Sequence, residues 1–199
     1  ALRDSGVERD TIFIFSSDNG PWNEYGNHSG ETPFREHKGT SFDGGTRSAT
    51  VIKYPAKLKP RVLDRPMSTI DVLPTIAHLA GASLPDYEID GKNLWPVLIG
   101  DEKVPHPQEY YAFEYSRRLD AILTSDGRWK MHCPHPYRHV LEEGHDSRRG
   151  KVTTLRIDWS LFDLDADPKE STNVMEDHPG VMKRLKAVAE RHRRKFDLK

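Results

Sequence analysis

The stretch Thr11-Ile-Phe-Ile-Phe-Ser-Ser-Asp-Asn-Gly20 sets the frame for the rest of the chain. Its apolar run, Ile12 to Phe15, passes straight into the turn-forming residues Ser16 to Gly20. A short continuous apolar run bounded by turn residues reads as a strand buried on both faces, as in a parallel sheet. Open α/β sheets place their ligands in the loops that leave the carboxyl ends of such strands. Asp18 and Asn19 would offer one charged and one neutral hard oxygen there, a pair suited to Ca²⁺ or Mg²⁺ rather than a softer metal. The same residues also form an Asx turn with no metal at all.

Further on comes His37-Lys-Gly-Thr-Ser-Phe-Asp-Gly-Gly-Thr-Arg47, then the β-branched run Ala49 to Tyr54. Lys38 and Arg47 flank a glycine pair. Glycines let the backbone approach a ligand closely, and paired cations suit a tetrahedral oxyanion. In order and spacing, the two stretches resemble the type I sulfatases, the arylsulfatase branch of the alkaline phosphatase superfamily. That family carries a Ser-Asp-Asn-Gly metal loop followed by Gly-Lys-Gly-Thr-x-x-Glu-Gly-Gly-x-Arg. The chain departs from it at His37, where Gly is frequent, and at Asp43, where Glu is usual.

The resemblance extends downstream. Ser68 to Gly81 has helical periodicity with a Ser or Thr cap and a glycine stop. It is followed by Asp90-Gly91-Lys-Asn-Leu94, similar to a family turn. Asp71 is expected as a dipole partner of the first turn and His78 as packing. Leu119 to Cys133 reads as a hairpin turning at Ser125-Asp126-Gly127. Residues 141–151 read as a charged, mobile loop. Leu161-Phe-Asp-Leu-x-x-Asp-Pro-x-Glu170 is characteristic of the sulfatase C-terminal subdomain, and Val181, Leu185, Val188 and Ala189 mark a last helix. The implied fold is α/β: residues 1–104 as the C-terminal part of an alkaline-phosphatase-like sulfatase catalytic domain, and 105–199 as a small antiparallel sheet with a packed helix.

The resemblance also implies a chemistry. Asp18 and Asn19 match metal ligands, for Ca²⁺ or alternatively Mg²⁺. Lys38 matches the residue that contacts sulfate and the leaving group. Arg47 either orders the loop or supports the anion site. The family strand corresponding to Trp129–His132 brings a histidine to the pocket rim, which makes His132 the leading candidate for substrate contact, with His135 and Arg138 beside it. Trp22 and His28 either face substrate or pack their own loop. The family nucleophile is a cysteine oxidised to formylglycine within Cys-x-Pro/Ala-x-Arg. Cys133-Pro-His-Pro-Tyr137 does not fit that pattern, so the nucleophile and the remaining metal ligands are expected in an upstream part of the same protein.

Composition bounds the alternatives. The chain has 199 residues, 35% hydrophobic and 31% charged, and a net charge of −1. That balance gives no general pull towards nucleic acid. No apolar run reaches the roughly 20 residues that span a bilayer. One cysteine excludes an internal disulfide. The expected ligand is a sulfated small molecule or carbohydrate, and the family suggests a periplasmic, secreted or lysosomal setting. A phosphoester or phosphonate hydrolase on the same fold, or a non-catalytic fragment, are the other readings.

Overall fold

The computed structural model describes residues 1–26, 30–101 and 103–198; His28 lies outside the described residues. In chain order the elements begin with β1 (Phe13–Ser16), α1 (Asp43–Thr46), β2 (Thr50–Lys53), α2 (Val72–Ala80) and α3 (Trp95–Leu98). They continue with β3 (Tyr110–Tyr115), β4 (Arg118–Thr124), β5 (Trp129–His132), β6 (His135–Glu142), β7 (Lys151–Ile157), β8 (Ser160–Asp163) and α4 (Pro179–Phe196). These form two compact units, between which the chain passes several times.

The first unit comprises residues 1–16, 50–111 and 125–127. Here β1 pairs with β2 antiparallel, Phe13 opposite Lys53 and Ser16 opposite Thr50. This corrects the expectation of a parallel strand buried on both faces. Phe15 is 65% exposed and Val51 59%. Among the described residues β1 and β2 make a two-stranded sheet by themselves, and much of their apolar surface is exposed.

The helix read from Ser68 to Gly81 is present as a 3-10 turn at Thr69–Asp71 leading into α2, which ends at Gly81 in the left-handed conformation. Asp71 does much more than balance a helix dipole. It is fully buried and accepts hydrogen bonds from the Ser68 N–H (3.1 Å), the Lys92 N–H (2.8 Å), Gln108 Nε2 (2.7 Å) and the Tyr111 hydroxyl (2.9 Å). Four donors on one carboxylate hold the turn before α2 to the segments carrying Lys92 and Gln108–Tyr111, so that the buried charge is fully satisfied. Burial, then the Asp71 charge, push the Tyr111 phenol far up from its ordinary value. His78 is exposed, not packed as expected.

The second unit comprises residues 17–49, 112–124 and those from 128 onward. Its sheet runs in the order β3-β4-β5-β8. β5 is antiparallel to β4 (Leu123 opposite Lys130) and to β8 (Lys130 opposite Phe162). The β4–β5 turn ends at Gly127 with φ +84°, a backbone that side-chain-bearing residues rarely adopt. α4 packs on β4, and its buried residues include Met182, Leu185, Val188 and Ala189. The stripe read from the sequence is met at Leu185, Val188 and Ala189, whereas Met182 rather than Val181 is the buried residue at its start, and His192 extends it.

β6 and β7 form a separate hairpin with a bulge between Val140 and Glu142. Of the stretch that reads as a mobile loop, 141–151, its strands take residues 141, 142 and 151, and 143–150 form the connection. The turn is fastened by two backbone hydrogen bonds, Gly144 N–H to the Asn23 carbonyl (3.0 Å) and Gly150 N–H to the Glu24 carbonyl (2.7 Å). Charged residues there indicate a solvated surface, and they carry no information about such backbone pairing.

Candidate functional site

Residues 17–49 fold on themselves by backbone hydrogen bonds. The Gly20 N–H donates to the Gly45 carbonyl (3.1 Å), the Lys38 N–H to Pro21 (2.9 Å) and the Gly44 N–H to Arg35 (2.9 Å). A Cβ on Gly20 would run into the Gly44 carbonyl, and one on Gly44 into the carbonyls of Arg35 and Glu36. The glycines are therefore required by backbone crossing at contact distance. α1 is a single turn, closed by the Arg47 N–H on the Asp43 carbonyl (2.8 Å).

The crossing brings Asn19, Lys38 and Arg47 around one cavity of about 490 Å³, with Trp22, Glu31 and Phe34 also lining it. The Lys38 ammonium lies 5.0 Å from the Trp22 ring centroid, and the Arg47 guanidinium 4.6 Å from that of Phe34. Each cation thus rests near an aromatic face, a favourable placement that leaves its charge available to the cavity. Asn19 Nδ2 donates to the Asp18 carbonyl (2.7 Å), which orients the amide. Asp18 is exposed and does not line the cavity.

The structure places His132, His135 and Arg138 elsewhere. His132 is fully buried at the end of β5 and stacked on Phe42 at 4.6 Å. Burial pushes its imidazole down to about 4, so it is neutral at physiological pH. His135 is equally buried, 5.5 Å from the His132 ring, with Nδ1 2.7 Å from the Cys133 carbonyl and Nε2 3.8 Å from Asp120. Arg138 is paired with the buried Glu24 (2.5 Å), whose other oxygen takes Arg149 at 3.1 Å. None of the three lines the cavity. Trp22 lines the cavity and also packs on Tyr25 of its own loop, ring centroids 4.5 Å apart.

Behind α1 lies a feature that the sequence reading missed. Lys130 is fully buried, and its ammonium sits 2.7 Å from Asp43 Oδ1 and 2.8 Å from Glu170 Oε1. Burial works against that ammonium, but the two carboxylates outweigh it and raise its pKa. Burial likewise favours a neutral Glu170, yet Lys130 overcomes it and holds the carboxyl down at about 2. Glu170 Oε2 accepts from the Asp43 N–H (3.4 Å), and its carbonyl accepts from Arg35 (2.6 Å). Removing one member of such a group strands a buried charge, at a cost of about 3–5 kcal/mol. The signal available in sequence was a lone lysine within the otherwise apolar start of Trp129-Lys-Met, which alternation alone assigns to a solvated face.

The chain matches the family described as Sulfatase over residues 1–82. It is 32% identical over 183 residues to arylsulfatase A of Bos taurus, covering 88% of this chain and 36% of that protein. It is 31% identical over 196 residues to an N-acetylgalactosamine-6-O-sulfatase of Bacteroides thetaiotaomicron, covering 90% of this chain and 36% of the relative. The chain thus spans just over a third of the length of these relatives. Among solved structures, the PsFucS1 sulfatase from Pseudoalteromonas sp. superposes with a TM-score of 0.82 at 24% identity, over 100% of this chain and 40% of that one. That likeness establishes the fold.

Proposed function

The chain belongs to the sulfatase family, and on that premise we propose that it supplies one wall of the active site of a sulfuric ester hydrolase. The observation that carries the reading is the convergence of Lys38, Arg47 and Asn19 on one cavity. Two cations held by aromatic faces make a site for a tetrahedral anion, and Lys38 is the one suited to the leaving oxygen. As the S–O bond breaks, negative charge gathers on that oxygen, and a fixed ammonium lowers the barrier by meeting it there.

Asp18 and Asn19 are the proposed metal ligands. Their oxygens are of the hard type that Ca²⁺ or Mg²⁺ takes, so the donor chemistry fits, but Asn19 alone of the two lines the cavity and together they fill only part of a shell of about 6–8. Among the described residues no cluster of three or more His, Cys, Asp or Glu completes it. When bound, a divalent cation would draw charge from the sulfuryl oxygens. The remaining ligands and the formylglycine nucleophile are assigned to sequence outside this chain. That upstream part is also the natural cover for the apolar faces of β1 and β2. Without it this polypeptide is a fragment that performs no turnover.

The ligand is a sulfate ester of a small molecule or a carbohydrate. Trp22 beside Glu31 and Thr32 favours the carbohydrate, offering an aromatic face and hydroxyl partners. The two curated relatives are both sulfatases by name, which favours sulfuryl over phosphonyl transfer. The test is Lys38→Ala in the full-length protein with an aryl sulfate as substrate. Turnover should fall by about 10²–10³, the loss typical of one such donor, with the circular dichroism spectrum unchanged. Near wild-type turnover would remove Lys38 from the site.

A further inference from the structure

We propose that Asp43 is a positioning residue for the anion site, holding Arg47 at the cavity with one carboxylate oxygen while Lys130 anchors the other. The inference rests on the reading of this cavity as an anion site.

Asp43 and Arg47 stand four residues apart across the single turn of α1, the spacing that puts two side chains on one helix face. Asp43 Oδ1 is 2.7 Å from the buried Lys130 ammonium, and Oδ2 is 3.6 Å from Arg47 Nη1. The Asp43 side chain is 7% exposed, whereas that of Arg47 is 51% exposed. One partner is therefore locked within the second unit and the other reaches the cavity. The Asp43 N–H is also tied to Glu170 Oε2 at 3.4 Å, so backbone and side chain of this residue are both fixed.

A half-exposed arginine samples many rotamers, and ordering it on an arriving anion costs entropy. Arg47 is instead bracketed in advance by Phe34, 4.6 Å from its guanidinium, and by a carboxylate that cannot move. Lys130 also matters electrostatically. Its charge is shared between Asp43 and Glu170, so it offsets part of the Asp43 charge beside Arg47. Lys130, 87 residues away in sequence, thereby reaches the cavity through Asp43.

The experiment is calorimetric titration of the full-length protein with inorganic sulfate, together with KM and kcat on an aryl sulfate. The variants are Asp43→Asn, Asp43→Glu, Arg47→Gln and the two doubles. Positioning requires Asp43→Asn to weaken sulfate binding by about tenfold, to raise KM more than it lowers kcat, and to add nothing in the Arg47→Gln background. Asp43→Glu keeps the buried charge but shifts the carboxylate by one methylene. It serves as the second arm should Asp43→Asn not fold, and its effect too must vanish once Arg47 is gone. Effects that persist unchanged in the Arg47→Gln background would show a merely structural role and overturn the proposal, as would unaltered sulfate affinity in Arg47→Gln. If Lys38→Ala is inactive while that last result holds, the sulfatase reading survives and this inference does not. A wild-type protein that neither binds sulfate nor cleaves the ester removes both.

Discussion

The ring of Phe42 lies on that of His132, their centroids 4.6 Å apart and their planes inclined by 26°. On its other side the Arg35 guanidinium sits 4.2 Å from the Phe42 centroid, and Tyr137 meets its edge at 5.0 Å. Phe42 has no exposed surface. It immediately precedes α1, so it plugs the cavity-bearing segment into the end of β5.

Phe42→Ala should therefore destabilise the second unit by about 3–5 kcal/mol, the range for emptying a buried aromatic site. Chemical denaturation followed by tryptophan fluorescence reads this directly, since Trp129 lies in the adjacent strand. A loss below about 1 kcal/mol would mean that the segment closes without its plug.

Acid should unfold the protein in a defined window. His132 has an ordinary value of 6.5 and a folded value of about 4. Between those values the unfolded chain binds the proton and the folded chain does not, so stability falls as pH drops from 6.5 and levels near 4. The contribution is on the order of 3 kcal/mol. His37 and His135, also lowered by burial, act in the same direction. Glu170, held at about 2 against an ordinary 4.5, adds a further loss as pH falls from 4.5 towards 2. His132→Asn should flatten the slope of stability against pH between 6.5 and 4 without abolishing it. An unchanged slope would show that His132 takes its proton freely when folded.

Calcium should bind the isolated 199-residue chain more weakly than about 10⁻³ M, the weak end reached by complete extracellular sites. Asp18 and Asn19 leave most of the shell to water. Calorimetry with Ca²⁺ is decisive here, and micromolar affinity would mean that this chain holds ligands beyond those two. In the full-length protein Asp18→Ala should lower Ca²⁺ affinity.

Local signals in the sequence led to the right elements wherever local physics sets them. Ser68 and Gly81 bracket the helix because capping and left-handed stops are decided within a few residues. Gly127 marks the β4–β5 turn for the same reason. The orientation of β1 was not legible, because an apolar run specifies burial and says nothing of which neighbour it pairs with. At the site, Lys38 and Asn19 reach a shared cavity, while the glycines that read as room for a ligand make room for crossing backbone. The resemblance to a family strand points His132 and His135 towards that cavity. Their location in the core depends on Phe42 and Phe162, far off in sequence, as does the Lys130 cluster on Asp43 and Glu170. Charged side chains read as surface until their partners, a hundred residues away, are known.

The 87 residues between Asp43 and Lys130 are also an interval of time. At about 5–20 residues per second, a ribosome needs on the order of 4–17 s to make them. Throughout that delay the segment carrying Lys38 and Arg47 waits with Asp43 lacking Lys130 and Phe42 lacking His132. Asp43 gains its buried ammonium partner only when the distant strand arrives, well after every residue that lines the cavity has been made.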